Sequence, residues 1–325
     1  LTSGVVLDFA KMSAVREINP HARTVRVEPG VTLAQLNREV RHHGLMFAPH
    51  VSTGDRATIG GMIATDAAGK GSAVYGKTSD HVVSLRVLFP GDEELESSAV
   101  SEETLGDHIG RGGRAGELCR AVDEIDRTLR DEIDRVFPEL PRHVTGFNLA
   151  MIRRNPSAGF SLNHLLCGSE GTLGIVSEAT LRLTPIPAHR SLVAVSYESF
   201  GDAVRDAVRI AGHTPHAIET MDGMVLDLAR DDVAYPVVEK YIAPGARALT
   251  LVNEALPAAT RAENASLLAT LLMIKAEALE IEGRMSEAAS VRLDSLGWAR
   301  YGFGREQDVR ARLTEVAALS PQNRS

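Results

Sequence analysis

The chain has 325 residues, 44% of them hydrophobic, with a formal charge of −8 and a pI near 5.8. That length is ample for a packed core and suggests about two domains, and the acidic balance argues against a general nucleic-acid or anionic-membrane surface, which needs a concentrated basic face. Cys119 and Cys167 stand far apart with no CxxC spacing, so neither a disulfide framework nor a cysteine metal site is indicated and a reducing cytoplasm fits best.

The chain opens on Leu1 with no charged-then-apolar leader, and no apolar run approaches the roughly 20 residues of a membrane helix. VVLDF (5–9) and TVRVEPG (24–30) read as short strands, and the missing cap and start methionine before the first read as the edge of a fragment. A helix is expected next, with Thr32 as N-cap, Leu33, Leu36 and Val40 on one face, and Gly44 as C-cap. Residues 58–81, TIGGMIATDAAGKGSAVYGKTSDH, read as neither helix nor strand. HVVSLRVLF then alternates Val83, Leu85, Val87 and Phe89 before a Pro90-Gly91-Asp92 turn, the signature of a half-buried strand. Residues 114–136 predict a helix with Leu118, Val122, Ile125, Leu129 and Ile133 inward. LNHLLCG reads as a short helix and GIVSEATLRLTPIP as a turn feeding a strand. From there SLVAVSY, DAVRDAVRIAG, AIETMDGMVLDLAR and ALTLVNEAL alternate strand, helix, strand with helix, and strand, as in a split βαβ layer. A boundary is expected near 187, and from 257 a helical tail with Leu267, Leu271, Ile274 and Leu279 on one face and a break at 282–284. One hairpin in that tail faintly matches a tetratricopeptide unit, but a generic helical hairpin is the preferred reading because one repeat does not bury its own face.

The glycines of 58–81 fall where a side chain would block close backbone approach. Two readings stay open for them: a cofactor against exposed N–H groups, or tight turns inside a packed domain. Residues 168–174, GSEGTLG, pose the same choice; a helix C-cap followed by a turn explains Gly168 and part of Gly171 and leaves Gly174 unexplained. Gly110, Gly112 and Ala115 satisfy GxGxxA, but no strand precedes them, so the match reads as chance. No GxSxG occurs, and the eleven histidines show no HxH, HExxH or HxxxH, which sets aside the commonest serine-hydrolase signal and a metal site.

APHVSTGDRATIGGMIATDAAGKGSAVYGKTSDHV together with CGSEGTLGIVSEATLRLTPIP resembles the FAD-binding domain of the vanillyl-alcohol oxidase and p-cresol methylhydroxylase (PCMH) type, in its D-lactate, glycolate and D-2-hydroxyglutarate dehydrogenase branch. DRVFPELPRHVTGFNL and AIETMDGMVLDLAR further resemble the long bacterial D-2-hydroxyglutarate dehydrogenases that fuse this domain to an iron-sulfur module. The resemblance implies an α+β fold: a two-subdomain FAD-binding domain over 1–187 lacking its N-terminal pyrophosphate loop, the first half of a ferredoxin-like substrate domain over 188–256, and a tail over 257–325 that matches nothing in the family. It implies FAD as cofactor, with Ser52, Thr53, Gly54, Ala57 and Thr58 lining pyrophosphate and flavin, Gly60 and Gly61 allowing a close pass, Ala64, Thr65 and Gly69 continuing the wall, and Tyr75 and Gly76 closing it. Glu170, Gly171, Gly174, Ile175 and Val176 match the second cofactor segment, and Phe147 stands where many relatives carry Tyr.

The implied activity is oxidation of a D-2-hydroxy acid by hydride transfer to flavin, in the cytoplasm, with an electron acceptor the sequence does not name. No catalytic base and no metal site are assigned to this chain, and a homo-oligomer is left open. Two alternatives stand beside it: an inactive flavin-fold module that binds a partner through its helical tail, and a different FAD enzyme of the same fold, such as a reductase of the muramate-precursor type.

Overall fold

The computed structural model describes residues 6–137, 146–153, 159–213, 215–232, 235–256, 276 and 284–302. The chain divides into two compact units, Leu1–Ile186 and Pro187–Ser325.

The first unit is built on a five-stranded antiparallel sheet in the order β1-β2-β6-β4-β5: β1 Val15–Asn19, β2 Thr24–Val27, β6 Ile175–Arg182, β4 Val82–Phe89 and β5 Glu93–Ser97. A two-stranded ribbon, β3 Leu45–Met46 with β7 Thr184–Pro185, lies beside it. Strand periodicity sends alternate residues to opposite faces. Val25, Val27, Leu85, Val87, Ala179 and Leu181 are buried in one core with Leu36, Phe47, Ile59 and Ile63. On the polar face Arg26 pairs with Glu178 and Glu17 at 3.3 Å, and Arg86 with Glu94 at 3.2 Å. Such exposed pairs add little stability.

Helix α1, Leu33–Val40, follows its sequence signals: the Thr32 hydroxyl accepts from the Gln35 N–H at 3.2 Å, and Leu33, Leu36 and Val40 are buried. Gly44 ends the following 3-10 turn at φ +70°. The expected strand at 5–9 is corrected. Residues 6–9 form no strand, Val6 and Leu7 are exposed, and the strand that pairs with β2 is Val15–Asn19. β5 was not expected either, because in EELES only Leu95 is apolar; Ser97 takes the other inward place.

Residues 58–81 are corrected as well, since they contain α2 Ile59–Ala64, α3 Ser72–Tyr75 and a 3-10 turn Thr78–His81. After β5 come α4 Glu102–Arg111 and α5 Gly113–Val136. Gly110 lies within α4, and the amino end of α5 is closed by the Glu93 carboxylate, which accepts from the Arg114 N–H at 2.6 Å and the Ala115 N–H at 3.4 Å. That contact leaves the GxGxxA match without a phosphate role.

In α5 the expected inward Leu129 is 49% exposed and departs from helical geometry, and Asp126, 3% exposed, takes an inward place. The cause is Arg153, which reaches Asp126 at 2.7 Å, Asp123 at 2.5 Å and Glu102 at 2.9 Å while lying over the Phe160 ring. Burial alone would raise the Asp123 carboxyl, but hydrogen bonds from Arg153 and Arg127 outweigh it and hold Asp123 low; the Arg153 hydrogen bond does the same for Glu102. Both folded values lie below the ordinary 3.8 and 4.5. The stability they add is therefore complete above the ordinary values and drains away as the pH falls through the folded ones. A urea midpoint that falls between neutral pH and about pH 3.5, by less in Arg153→Leu than in the parent, is the expected result; equal falls in the two proteins would remove this network as the cause.

The second unit holds a three-stranded sheet in the order β8-β10-β9: β8 His189–Tyr197, β10 Ala248–Leu256 and β9 Ala217–Asp222. β10 is antiparallel to both neighbours, so β8 and β9 run parallel with a strand between them. Helix α7, Phe200–Ala211, is capped by Ser199 and packs Ile210 with Val193, Val195, Ile218 and Val252. Helix α8, Gly223–Arg230, is capped by Asp222 and packs Leu226 with Ala194, Met221, Leu249 and Leu251. Adjacent β10 residues thus face different clusters, and the sheet is covered on both sides. α6 Asn163–Leu166 and α9 Tyr235–Val238 complete the short helices, and a longer helix spans Met285–Gly302. Leu267, Leu271, Ile274 and Leu279 lie outside the described residues.

Candidate functional site

The residues singled out in the first unit fall into three stretches. In the first, the Thr53 carbonyl accepts from the N–H groups of Arg56 and Ala57, both at 2.8 Å, which folds Ser52–Ala57 into a tight turn. The turn is docked on α1 by Ala34 N–H to Gly54 O at 3.0 Å and Leu33 N–H to Ala57 O at 2.9 Å. Ser52 and Thr53 are exposed, Gly54 is half-buried and Ala57 packs on the core. Among the described residues the N–H groups of Ser52, Thr53 and Gly54 donate to no chain atom.

Thr58 then caps α2, its hydroxyl accepting from the Gly61 N–H at 3.2 Å, while Ile59 N–H goes to Val31 O and Gly60 N–H to Pro29 O. The amino end of α2 is thereby closed by its own chain. Ala64 is half-buried and Thr65, at the C-cap, is exposed.

A methyl group built on each glycine shows what its lack of a side chain serves. At Gly60 it would stand 2.6 Å from Pro29 Cβ, at Gly69 1.8 Å from the His50 carbonyl oxygen, and at Gly174 2.5 Å from Val87 Cγ1. At Gly76, where φ is +77°, it would meet the Asp80 carboxylate at 2.3 Å. These four are held as glycine by the chain itself. Gly61 has only the Thr58 hydroxyl, at 3.2 Å, and Gly54 nothing nearer than Leu33 at 3.5 Å. Gly171, at φ +77°, has nothing within 4 Å.

The second stretch, Gly168 to Val176, comes directly onto the first: Gly168 N–H donates to Ile63 O and Glu170 N–H to Ala64 O, both at 2.9 Å. Glu170, at φ +49°, and Gly171 form an exposed shoulder, and Ile175 and Val176 begin β6 opposite Leu88 and Val87. No hydrogen bond joins Ser52–Gly54 to this stretch among the described residues.

The third stretch is Tyr75–Gly76. The Tyr75 carbonyl accepts from His81 Nε2 at 2.8 Å, and the Asp80 carboxylate accepts the Lys77 N–H at 2.8 Å. At the base lies a buried ion pair that the sequence did not disclose, Lys77 with Asp66, whose carboxylate also accepts from the Ser79 N–H at 2.9 Å and the Ser79 hydroxyl at 3.1 Å. Asp66 follows Ala64 and Thr65, Lys77 follows Tyr75 and Gly76, and Gly168 packs on the Asp66 side chain. All three stretches therefore meet over one charged contact. No short-range pattern marks it, because an Asp and a Lys so spaced are common on any surface.

Cys167 is buried beside this pair, and burial first, then the Asp66 charge, push its thiol well above the ordinary range. Such a thiol is inert as a nucleophile. Among the described residues no group of His, Cys, Asp and Glu could hold a metal, and no helix is long and apolar enough to cross a membrane. Phe147 is 43% exposed.

Residues 1–98 match the FAD binding domain family, and residues 186–312 match the C-terminal domain of FAD linked oxidases. The second match continues past residue 255, where the likeness read from the motifs fades. The D-2-hydroxyglutarate dehydrogenase of Pseudomonas putida is 46% identical over 242 residues, which is 74% of this chain and 24% of that protein. That of Escherichia coli is 40% identical over 244 residues, again 74% of this chain and 24% of the relative. A D-lactate dehydrogenase of Archaeoglobus fulgidus is 29% identical over 226 residues, 69% of this chain and 39% of its own. The chain thus spans 24% of the length of these D-2-hydroxyglutarate dehydrogenases. Among solved structures, alkyldihydroxyacetonephosphate synthase aligns with a TM-score of 0.53 at 19% identity, over 77% of this chain and 38% of that one, a likeness of fold. The chain thus matches an FAD binding domain at its start and the C-terminal domain of FAD linked oxidases behind it, and over that span it is similar to D-2-hydroxyglutarate and D-lactate dehydrogenases.

Proposed function

We propose that this chain is the flavin-holding part of a dehydrogenase that oxidises a D-2-hydroxy acid, with FAD seated over the junction of the three stretches. The observation that carries this reading is the hydrogen-bonded joining of Ile63–Ala64 to Gly168–Glu170. Two small-residue segments distant in sequence make one surface there. The surface fits a dinucleotide in two respects. Unpaired N–H donors stand at Ser52, Thr53 and Gly54, and a phosphate wants donors without bulky neighbours. Gly171 has no chain atom within 4 Å of its Cβ position, so a flat ring or ribose meets backbone there rather than a side chain.

FAD, when bound, supplies the hydride acceptor. The residues of this chain bind and orient it. Ser52–Gly54 donate to phosphate oxygens, while Thr58, Gly61, Ala64 and Thr65 form one wall, Tyr75 and Gly76 a second, and Glu170, Gly171, Ile175 and Val176 a third. Gly60, Gly69 and Gly174 act beneath these walls by letting the chain pack. Buried Asp66 and Lys77 hold the walls in register. In this reading residues 1–187 are the FAD-binding domain and 188–256 the first half of the substrate domain, supported by the parallel β8 and β9 on either side of β10. The substrate is proposed from the relatives' names, and a cytoplasmic setting from two buried, unpaired cysteines.

Titration of FAD into the purified full chain is expected to give a saturable, equimolar yellow complex with quenched flavin fluorescence. A colourless protein that leaves flavin fluorescence unchanged would overturn the proposal.

A further inference from the structure

We propose that Arg56 is the cation that faces the diphosphate of the bound dinucleotide, in concert with the N–H groups of Ser52, Thr53 and Gly54; this rests on the flavin reading above. A diphosphate brings two negative charges, and a guanidinium adds to the N–H donors a full positive charge and a fork that matches phosphate oxygens.

The cradle has few other sources of positive charge or donors. The buried Lys77 ammonium is taken by Asp66, and Lys70 is already engaged. The N–H groups at the start of α2 go to Val31, Pro29 and Thr58, and those of Gly168 and Glu170 go to Ile63 and Ala64. Arg56 is different. It is exposed, and among the described residues its side chain makes no ion pair. The neighbouring Asp55, also exposed, does not pair with it. The Thr53 carbonyl, by accepting the Arg56 N–H, folds Arg56 back onto the same turn that carries the three unpaired donors. One turn thus combines free donors with a free guanidinium.

The test uses the full chain and its variants Arg56→Gln and Arg56→Lys, titrated with FAD, with riboflavin, which carries no phosphate, and with inorganic pyrophosphate as competitor. Arg56→Gln is expected to weaken FAD binding by about tenfold or more, with Arg56→Lys in between and riboflavin binding unchanged. Pyrophosphate should displace FAD from the parent at lower concentration than from Arg56→Gln, and the parent should show the steeper loss of FAD affinity with salt. Undiminished FAD affinity in Arg56→Gln overturns the assignment, as does an equal loss for riboflavin, which would place the effect away from the phosphates. A parent chain that binds riboflavin but not FAD refutes this assignment and keeps a flavin site, whereas one that binds neither refutes the flavin reading itself. Arg56 is exposed, so unchanged thermal melting of both variants is expected and separates lost contacts from lost folding.

Discussion

Lys77→Met is expected to lower the stability of the first unit by about 3–5 kcal/mol, because breaking a buried pair leaves an uncompensated charge in a low-dielectric interior. The side chains of Lys77 and Asp66 are 6% and 9% exposed, and after the change Asp66 would keep only the Ser79 donors. The companion experiment adds Asp66→Asn. Asp66 sits at φ +46°, a conformation that Asn accepts more readily than most residues, and its amide oxygen still accepts from Ser79. With both charges gone the double variant should return to within about 1–2 kcal/mol of the parent, since neutral replacements of buried pairs are often tolerated. FAD affinity should follow the same course, falling in Lys77→Met and recovering in the double variant, because the pair acts on the cradle by holding its walls. Urea midpoints and flavin titrations on the same samples decide the matter. A Lys77→Met protein within about 1 kcal/mol of the parent would show that the pair is no keystone.

Gly69→Ala is expected to be as damaging, for a different reason. Its methyl would lie 1.8 Å from the His50 carbonyl oxygen and 2.7 Å from the His50 carbonyl carbon. Backbone atoms in a hydrogen-bonded junction do not rotate aside as a side chain does, so overpacking here should cost about 3 kcal/mol or more. Gly54→Ala is the informative partner. Its methyl finds Leu33 at an ordinary 3.5 Å, and a stability change within about 1 kcal/mol is expected. If a dinucleotide passes over Gly54, that variant should nevertheless bind FAD more weakly. The two glycines thus separate a role inside the fold from a role toward the ligand. Equal thermal melting of Gly69→Ala and the parent would remove the structural role, and unaltered FAD affinity in Gly54→Ala would remove the ligand role.

The elements legible in the sequence share one property, in that their signals lie within a few residues of one another. Thr32 as cap with Leu33, Leu36 and Val40 behind it, and the alternation through β4, both reappear in the structure because capping and periodicity are local physics. β5 was missed because its stability comes from pairing with β4 rather than from its own composition. Val6 and Leu7 misled because β-forming residues make a strand only where a partner strand is available. Leu129 turned outward in α5 because Arg153, remote in sequence, gives Asp126 a reason to face in.

The glycines show where sequence stops. By itself the sequence determined that residues 58–81 and 168–174 tolerate no bulk at certain points, and that together they carry the marks of an FAD-linked family. What stands against each glycine was settled only by tertiary structure: Pro29 at Gly60, His50 at Gly69, Val87 at Gly174, and no chain atom at Gly171. At Gly60, Gly69 and Gly174 the missing side chain records restricted space whose restricting atoms arrive from elsewhere in the chain and carry no local trace, whereas at Gly171 it records a left-handed backbone at φ +77°. The Asp66–Lys77 contact obeys the same logic, since only folding brings the two charges together and removes the water that would otherwise screen them.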